Sequence, residues 1–183
     1  MKIAVLALQG AFEEHRQTLR HLGVECVLIR NFNDWQQPFD GLILPGGEST
    51  TMMRIMKDEL LIEPIRKAIM EGLPVFGTCA GMILLDDQHL DCMDITVKRN
   101  AYGRQLGSFQ TTHYIEGLGD VPMVFIRAPY IERYGNGVEV LSILDHHVVA
   151  AKQGKMLVCS FHPELTADTS IHHYWLTTII GKH

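Results

Sequence analysis

A five-residue segment, Gly77-Thr78-Cys79-Ala80-Gly81, carries the clearest chemical signal in the sequence. It follows an apolar stretch typical of a buried strand and precedes a helical pattern, which is the form of a nucleophile elbow with cysteine in place of serine. At a helix N-terminus a thiolate is favoured, and backbone N–H groups can face a developing oxyanion. We therefore interpret Cys79 as a nucleophile, with a buried structural cysteine as the alternative.

A cysteine nucleophile needs a base, and that base needs a group to orient it. Phe161-His162-Pro163-Glu164 supplies both residue types at the end of another apolar strand. Proline favours extended geometry for His162, and in an extended segment side chains two residues apart point the same way. Glu164 could then reach the imidazole of His162. The alternative is a strand end turned by proline with Glu164 in solvent, and spacing alone does not decide between the two.

Two further segments carry residues that could bind a ligand. The sequence Leu-Pro-Gly-Gly-Glu-Ser at 44–49 places two glycines at the C-terminal end of a predicted parallel strand, where open α/β sheets bind ligands. The alternative is an ordinary strand-to-helix turn. Arg104 and Arg127 could each hold a carboxylate through two parallel hydrogen bonds, or lie in solvent. No Gly-x-Gly-x-x-Gly follows the first strand, which argues against a dinucleotide site.

The elements that must position these residues follow from the hydrophobic pattern. Apolar strands alternate with amphipathic helices in the first half, which predicts a mostly parallel sheet covered by helices on both faces. One helix is predicted to start at Ser49 or Thr50 and run toward Gly72, with a kink or break at Pro64. The predicted strands are 2–8, 24–29, 41–44 and 73–77, and another predicted helix covers 12–22.

The second half has the pattern of short strands separated by turns. We interpret these strands as an antiparallel or mixed extension of the same sheet. Since no linker or repeat interrupts the chain, we expect one α/β domain over residues 1–183. The predicted strands are 94–98, 107–114, 121–127, 138–144, 148–152 and 156–161, and a closing helix is predicted at 170–180.

Composition narrows the possible function classes. The 183 residues are 46% hydrophobic and 20% charged, which is typical of a globular protein and not of a disordered one. A net charge of -5 without a basic run argues against nucleic-acid binding. No apolar run approaches the ~20 residues of a membrane helix, so we expect a cytoplasmic protein without a membrane partner. Four cysteines without CxxC spacing and two adjacent histidine pairs predict neither a disulfide framework nor a metal site.

These motifs resemble those of the class I, or triad, glutamine amidotransferase family. The resemblance covers nearly the whole chain and implies a flavodoxin-like fold. The cysteine elbow and the His-Pro-Glu segment belong to the wider class. Three segments are similar to the glutaminase subunits of pyridoxal 5'-phosphate synthases: Gly-Gly-Glu-Ser-Thr at 46–50, Arg-Asn-x-x-Gly-Arg-Gln at 99–105 and Ile-Arg-Ala-Pro at 126–129. The connection 86–94 is shorter and more acidic than is usual there.

The resemblance implies hydrolysis of L-glutamine to L-glutamate and ammonia through a glutamyl thioester. Cys79 would attack the side-chain amide, His162 would transfer the proton, and Glu164 would orient His162. Backbone N–H groups of Gly47 and Ala80 would form the oxyanion hole, and the implied glutamine-binding residues are Gly47, Glu48, Ser49, Arg104, Ile126 and Arg127. No cofactor is implied. The ammonia would pass to a synthase subunit, in a hetero-oligomeric complex that makes pyridoxal 5'-phosphate (vitamin B6).

Three alternatives to this function stay open. A glutaminase could serve another synthase, such as the one that makes imidazole glycerol phosphate, although the Gly-Gly-Glu-Ser-Thr segment and Arg104-Gln105 argue against it. A non-catalytic regulatory or binding module on the same fold would be expected to lack part of the triad. A cysteine hydrolase or peptidase would keep the triad and act on a different substrate.

Overall fold

Within residues 1–99 and 108–181, which the computed structural model describes, nine strands form one sheet and two form a separate hairpin. In chain order the strands are β1 (Lys2–Leu6), β2 (Glu25–Ile29), β3 (Gly41–Leu44), β4 (Val75–Thr78), β5 (Ile95–Lys98), β6 (Ser108–Ile115), β7 (Gly119–Ile126), β8 (Tyr130–Tyr134), β9 (Glu139–Leu144), β10 (His147–Gln153) and β11 (Met156–Cys159).

Helices connect the strands of the first half and close the chain. They are α1 (Phe12–His21), α2 (Phe32–Trp35), α3 (Ser49–Asp58), α4 (Ile62–Met70), α5 (Ala80–Leu85) and α6 (Ser170–Tyr174). A 3₁₀ turn covers Pro163–Leu165, and a π-helical turn, Trp175–Ile179, continues α6. No helix among the described residues is both long enough and apolar enough to span a membrane.

The large sheet combines a parallel half with an antiparallel half. Its order is β2-β1-β3-β4-β11-β10-β8-β5, and β9 pairs with β10. The neighbours from β2 to β11 run parallel, and β10, β8, β9 and β5 pair antiparallel. The predicted mostly parallel sheet with a mixed second half is therefore confirmed. The hairpin β6–β7 differs from the prediction, since it forms its own two-stranded sheet and does not extend the large one.

Two hydrophobic layers cover the two faces of the sheet. Alternate residues of β1 point into different layers: Ala4 and Leu6 into one, Ile3 and Val5 into the other. Helices α3, α4 and α5 pack in the first layer, whereas α1, the closing helix and the β6–β7 hairpin pack in the second. Because both faces are covered, the parallel strands are apolar at nearly every position, which is the pattern that the sequence shows.

The helix predicted from residue 49 toward 72 is two helices, and the break is not at Pro64. The chain turns at Leu60, whose φ is 58°, between α3 and α4. Pro64 is the third residue of α4, where its missing N–H has no partner to lose within the helix. Strand β8 and the one-turn helix α2 were not predicted, since neither has a distinct hydrophobic period.

Candidate active site

Cys79 occupies the turn between β4 and α5. Its φ of 51° is a conformation that residues with a β-carbon rarely adopt, and its N–H donates to the carbonyl of Cys159 at 2.8 Å. The flanking glycines allow this turn. A β-carbon on Gly81 would overlap the carbonyl of Leu44, and one on Gly77 would lie 2.7 Å from the carbonyl oxygen of Gly81. The elbow therefore depends on close backbone contact between the helix and two strands.

His162 lies beside Cys79 because β4 and β11 are parallel neighbours. Thr78 pairs with Cys159 in the sheet, so Cys79 and the segment after β11 emerge at the same edge. His162 Nδ1 lies 2.6 Å from Glu164 Oε1, and the side chains of Cys79 and His162 are hydrogen-bonded. An ionised carboxylate only accepts hydrogen bonds, so His162 Nδ1 donates to Glu164. This leaves His162 Nε2 to face the thiol of Cys79. The structure thus brings the three predicted triad residues together.

Glu164 reaches His162 by a route that differs from the predicted one. The segment after His162 is a 3₁₀ turn and not an extended strand end, and both side chains are buried. The N–H of His162 donates to the carbonyl of Val124 in β7 at 2.8 Å, so the separate hairpin holds the histidine in place. His162 itself stays outside the helical region, as expected before proline, and the 3₁₀ turn together with the contact to β7 sets the position of Glu164.

The electrostatics of the site favour a protonated His162 beside Cys79. Burial lowers the pKa of His162, but hydrogen bonds with Cys79 and Glu164 outweigh it and raise this pKa to about 10. Burial raises the pKa of Glu164, whereas contacts with His15 and His162 outweigh that effect and keep this pKa below its usual value. Near pH 7 Glu164 is therefore a carboxylate, and His162 is a protonated imidazolium next to the sulfur.

The loop at residues 45–48 packs directly against the imidazole. A β-carbon on Gly46 would overlap His162 Cε1 and would lie 2.8 Å from Nδ1. The carbonyl of Gly46 accepts from the N–H of Ala11 at 2.9 Å, so α1 and this loop are joined at the cleft. The N-cap of α3 is Glu48, not Ser49 or Thr50, because its carboxylate accepts from the N–H groups of the next turn.

One cleft of about 440 Å³ joins these elements. Ile126, at the end of β7, and Arg127, whose φ is 43°, also line it. Glu164 lies behind His162, and Arg104 lies outside the described residues, so its predicted role in binding stays a prediction. The predicted site residues that line the cleft are Gly47, Glu48, Ser49, Cys79, Ala80, Ile126, Arg127 and His162.

Three residues of this region were not predicted as site residues. Gln9 Oε1 accepts from the N–H of Glu48 at 2.7 Å, and Arg99 lines the cleft and donates to Thr50 Oγ1 at 3.1 Å. Arg99 belongs to a segment that carries the family resemblance, which is the signal that could have found it. The third is His15, which the helical spacing places among the apolar residues of α1, where it is indeed fully buried.

His15 continues the polar chain inward from Glu164. Its Nε2 lies 3.5 Å from Glu164 Oε2 and 3.1 Å from Thr78 Oγ1, and its Nδ1 lies 2.9 Å from His172 Nε2. Burial lowers the pKa of His15, more than the Glu164 carboxylate raises it. Burial also lowers the pKa of His172, and the neighbouring His15 lowers it further. Both histidines are therefore neutral at pH 7.

These depressed pKa values predict a loss of stability in acid. Below pH ~6.5 the unfolded chain binds protons that the buried histidines do not, so the free energy of unfolding falls by up to about 1.4 kcal/mol per pH unit for each histidine. His172→Phe removes one such group and is expected to reduce this slope. Urea unfolding at pH 7, 6 and 5 measures it, with His173→Phe at an exposed position as the control. An unchanged slope in His172→Phe would contradict the prediction.

Gly46→Ala is expected to lower turnover by about 100-fold or more, because the added methyl must displace the His162 ring from its contact with Cys79. Gly137→Ala is the matched control, since its β-carbon would meet only Gln153 Nε2, at an ordinary 3.5 Å. Turnover of both variants, with circular dichroism to verify folding, checks the expectation. Full activity in Gly46→Ala would show that the loop does not constrain the imidazole.

The four cysteines are free, and within residues 1–99 and 108–181 no group of three or more His, Cys, Asp or Glu side chains is placed to hold a metal ion. The groups at the cleft are a thiol, an imidazolium and backbone N–H groups, with a buried carboxylate behind the imidazolium. This set is suited to attack on a carbonyl carbon and transfer of a proton to the leaving group.

Solved structures place this fold in a class. A crystal structure described as a glutamine amidotransferase aligns with a TM-score of 0.89 and 44% identity, covering 95% of this chain and 96% of that chain. Another glutamine amidotransferase, from Thermotoga maritima, aligns with a TM-score of 0.66 and 14% identity. The alignment covers 95% of this chain and 82% of that chain. The second similarity shows the fold alone. The fold is that of the glutamine amidotransferases.

Sequence comparison identifies the family within that class. A model of the SNO glutamine amidotransferase family matches residues 5–181. The "Pyridoxal 5'-phosphate synthase subunit PdxT" of Streptococcus pneumoniae is 55% identical over 186 aligned positions, which cover 96% of each chain. The same protein from another strain of that species is 54% identical over the same coverage. The chain belongs to the SNO glutamine amidotransferase family.

Proposed function

We propose that this protein hydrolyses L-glutamine to L-glutamate and ammonia and delivers the ammonia to a synthase subunit that makes pyridoxal 5'-phosphate. One observation carries the proposal: His162 contacts Cys79 on one side and Glu164 on the other, at the wall of an open cleft. The family of the chain and the name of its relatives supply the substrate and the product of the assembly.

In the first half of the reaction, the Cys79 thiolate attacks the side-chain carbonyl carbon of glutamine. The C–S bond forms and the carbonyl oxygen takes the negative charge. The imidazolium of His162 then gives its proton to the amide nitrogen, and the C–N bond breaks to release ammonia and leave a glutamyl thioester. The pKa of about 10 keeps His162 protonated until the leaving group needs the proton.

In the second half, His162 acts as the base. Loss of its proton to ammonia leaves the imidazole neutral, so it can take a proton from a water molecule as the water attacks the thioester carbon. The C–S bond breaks, glutamate leaves, and the thiolate and imidazolium are restored. Glu164 stays ionised throughout, and its contact with Nδ1 holds the ring with Nε2 toward the sulfur.

The oxyanion and the substrate are held by the elements around the cleft. Ala80 begins α5, and the first N–H groups of a helix have no partner within the helix, so its N–H is suited to the oxyanion together with that of Gly47. We propose that the remaining lining residues bind the amino-acid part of glutamine. They are Glu48, Ser49, Ile126 and Arg127. The family resemblance adds Arg104, which lies outside the described residues, to the proposed binding set.

The proposal extends to the organisation of the protein. The curated relatives are named as a subunit of a synthase, so we propose a complex in which the ammonia passes directly to the partner. We also propose one catalytic domain over residues 1–183, because the triad combines the turn after β4 with the segment after β11, two strands that are far apart in the sequence and adjacent in the sheet. Four free cysteines fit the reducing environment of the cytoplasm, where we place the reaction.

The experiment is an assay of glutamate release from L-glutamine, with and without the synthase subunit of pyridoxal 5'-phosphate synthase. Release that increases when this subunit is added supports both parts of the proposal. Release that does not respond to it keeps the glutaminase and rejects this partner in favour of another synthase. No release under either condition rejects the function, and a peptide-derived electrophile that labels Cys79 would then indicate a peptidase.

A further inference from the structure

Glu164 has a second buried oxygen that the triad does not use. Oε1 accepts from His162, whereas Oε2 is fully buried and has no hydrogen bond within the part of the chain that the structure describes. The polar group that faces it is His15 Nε2, at 3.5 Å, from α1. A buried carboxylate oxygen without any partner is costly, so the identity of this group matters for the charge of Glu164.

The contacts of His15 determine which of its nitrogens carries the proton. If Nδ1 carried it, the bare Nε2 would face the carboxylate, and His172 would have to keep an N–H on its Nδ1. That atom is buried without a hydrogen-bond partner among the described residues. If Nε2 of His15 carries the proton, it points at Glu164 Oε2 and Thr78 Oγ1, and Nδ1 accepts from His172 Nε2. Only this arrangement avoids a buried orphan N–H.

We propose that His15 is a positioning residue for the triad: its Nε2–H faces Glu164 Oε2 and keeps the carboxylate ionised and oriented toward His162, and His172 fixes the tautomer of His15. The proposal rests on the proposed function, since it concerns the same triad. It assigns the two inner histidines a role in the chemistry, although neither lines the cleft. His15 acts through Glu164 and does not touch the substrate.

The titratable groups around Glu164 and His15 indicate in which direction activity should shift with pH when His15 is replaced. Glu164 faces His15 and His162, and Cys159 lies close to it from β11. His15 is affected by Glu164, His162 and Glu14 and contacts His172. Without the Nε2–H of His15, burial of Glu164 remains while one stabilising contact is lost, so protonation of Glu164 becomes easier. The imidazolium of His162 then loses support, and with it the thiolate of Cys79.

Two amide substitutions separate the positioning role from packing. The side-chain amide of His15→Gln can place an N–H near the former Nε2, whereas that of His15→Asn lies near the former Nδ1 and cannot reach Glu164. We expect His15→Asn to lower kcat about 10-fold on the acid limb of its pH profile with little change in KM, since a one-unit shift of that limb corresponds to a tenfold change in population. The acid limb of its kcat profile should move to higher pH by about one unit. His15→Gln should recover most of the wild-type kcat and most of the wild-type position of the acid limb.

A second readout does not require glutaminase activity. The rate at which iodoacetamide alkylates Cys79, followed by mass spectrometry of its peptide across pH, reports the thiolate. We expect its midpoint to move to higher pH in His15→Asn and to stay near the wild-type value in His15→Gln. His21→Asn, on the exposed side of the same helix, is the matched control. His172→Phe should produce a smaller shift in the same direction, because it removes the donor to His15 Nδ1.

The outcomes are distinct from those that decide the proposed function. Wild-type protein that releases no glutamate rejects the glutaminase, and the alkylation profile still tests His15. If His15→Asn leaves both the alkylation profile and kcat unchanged, the positioning role is overturned. It is also overturned if activity falls while the alkylation profile stays unchanged, since that is the result of a structural defect alone. Should His15→Asn fail to fold, an unshifted profile in His172→Phe overturns the tautomer assignment.

Discussion

Cys79→Ala is expected to lower glutamate release by about 10⁴-fold or more, because no other described residue that lines the cleft carries a thiol to form the thioester. Alanine keeps the β-carbon at the strained elbow, so circular dichroism and the thermal midpoint should stay close to those of the wild type. The release of glutamate from L-glutamine in the presence of the synthase partner measures the effect. The remaining turnover would report binding and oxyanion stabilisation without covalent chemistry.

The other cysteines supply the control for this experiment. Burial raises the pKa of the Cys26 thiol and of the Cys92 thiol to about 11, and that of Cys159 well above its ordinary value, so these thiols stay protonated near pH 7. Cys26→Ala, on the edge strand β2, should therefore retain wild-type turnover. Turnover of Cys79→Ala above about one hundredth of the wild-type value would remove Cys79 from its assigned role.

The parallel half of the fold could be predicted because its physics is local and repetitive. Each central strand is buried on both faces, so it appears in the sequence as an apolar run, and each connecting helix shows one apolar side. The same reasoning could not separate the β6–β7 hairpin from the large sheet. A half-buried strand alternates in the same way whichever sheet it joins, and only long-range pairing distinguishes the two cases.

The break between α3 and α4 shows a similar limit. Proline is the strongest sequence signal for the end of a helix, but Pro64 lies in the first turn of α4, where it is tolerated. The actual turn uses Leu60 in a left-handed conformation, which its residue type does not favour. The N-cap of α3 by Glu48 was missed because Ser49 and Thr50 are the more common capping residues.

The outer part of the candidate site could be predicted, and its inner part could not. Cys79 and His162 follow apolar strands and stand in segments with recognisable glycines and proline, so the sequence indicates both. His15 lies on the buried face of α1, where the helical spacing predicts an apolar residue. Leu19, one turn later on the same face, is an ordinary core residue. A histidine at such a position indicates burial, but its partners come from β4, the 3₁₀ turn and α6, which are distant in sequence.

The hairpin and the loop at 45–48 both help to position His162. Val124 of β7 accepts from the backbone of His162, and Gly46 lies against its ring. Neither contact is visible in the His-Pro-Glu segment itself. The geometry of the base is therefore a property of four elements that meet at one edge of the sheet, and this explains why side chains that never touch the substrate are expected to affect the rate.

His162→Asn is expected to lower turnover by about 10³-fold, within the range that a general acid and base contributes. The asparagine amide lies near the former Nδ1, so it can still donate to Glu164 Oε1, but nothing remains near the former Nε2 to exchange a proton with the leaving group or with water. The thiolate also loses its cationic partner, so alkylation of Cys79 at pH 7 should slow in parallel. His173→Asn, on the exposed side of α6, is the control and should turn over at the wild-type rate. Wild-type turnover in His162→Asn would require a different base, and loss of turnover with unchanged alkylation would confine His162 to proton transfer.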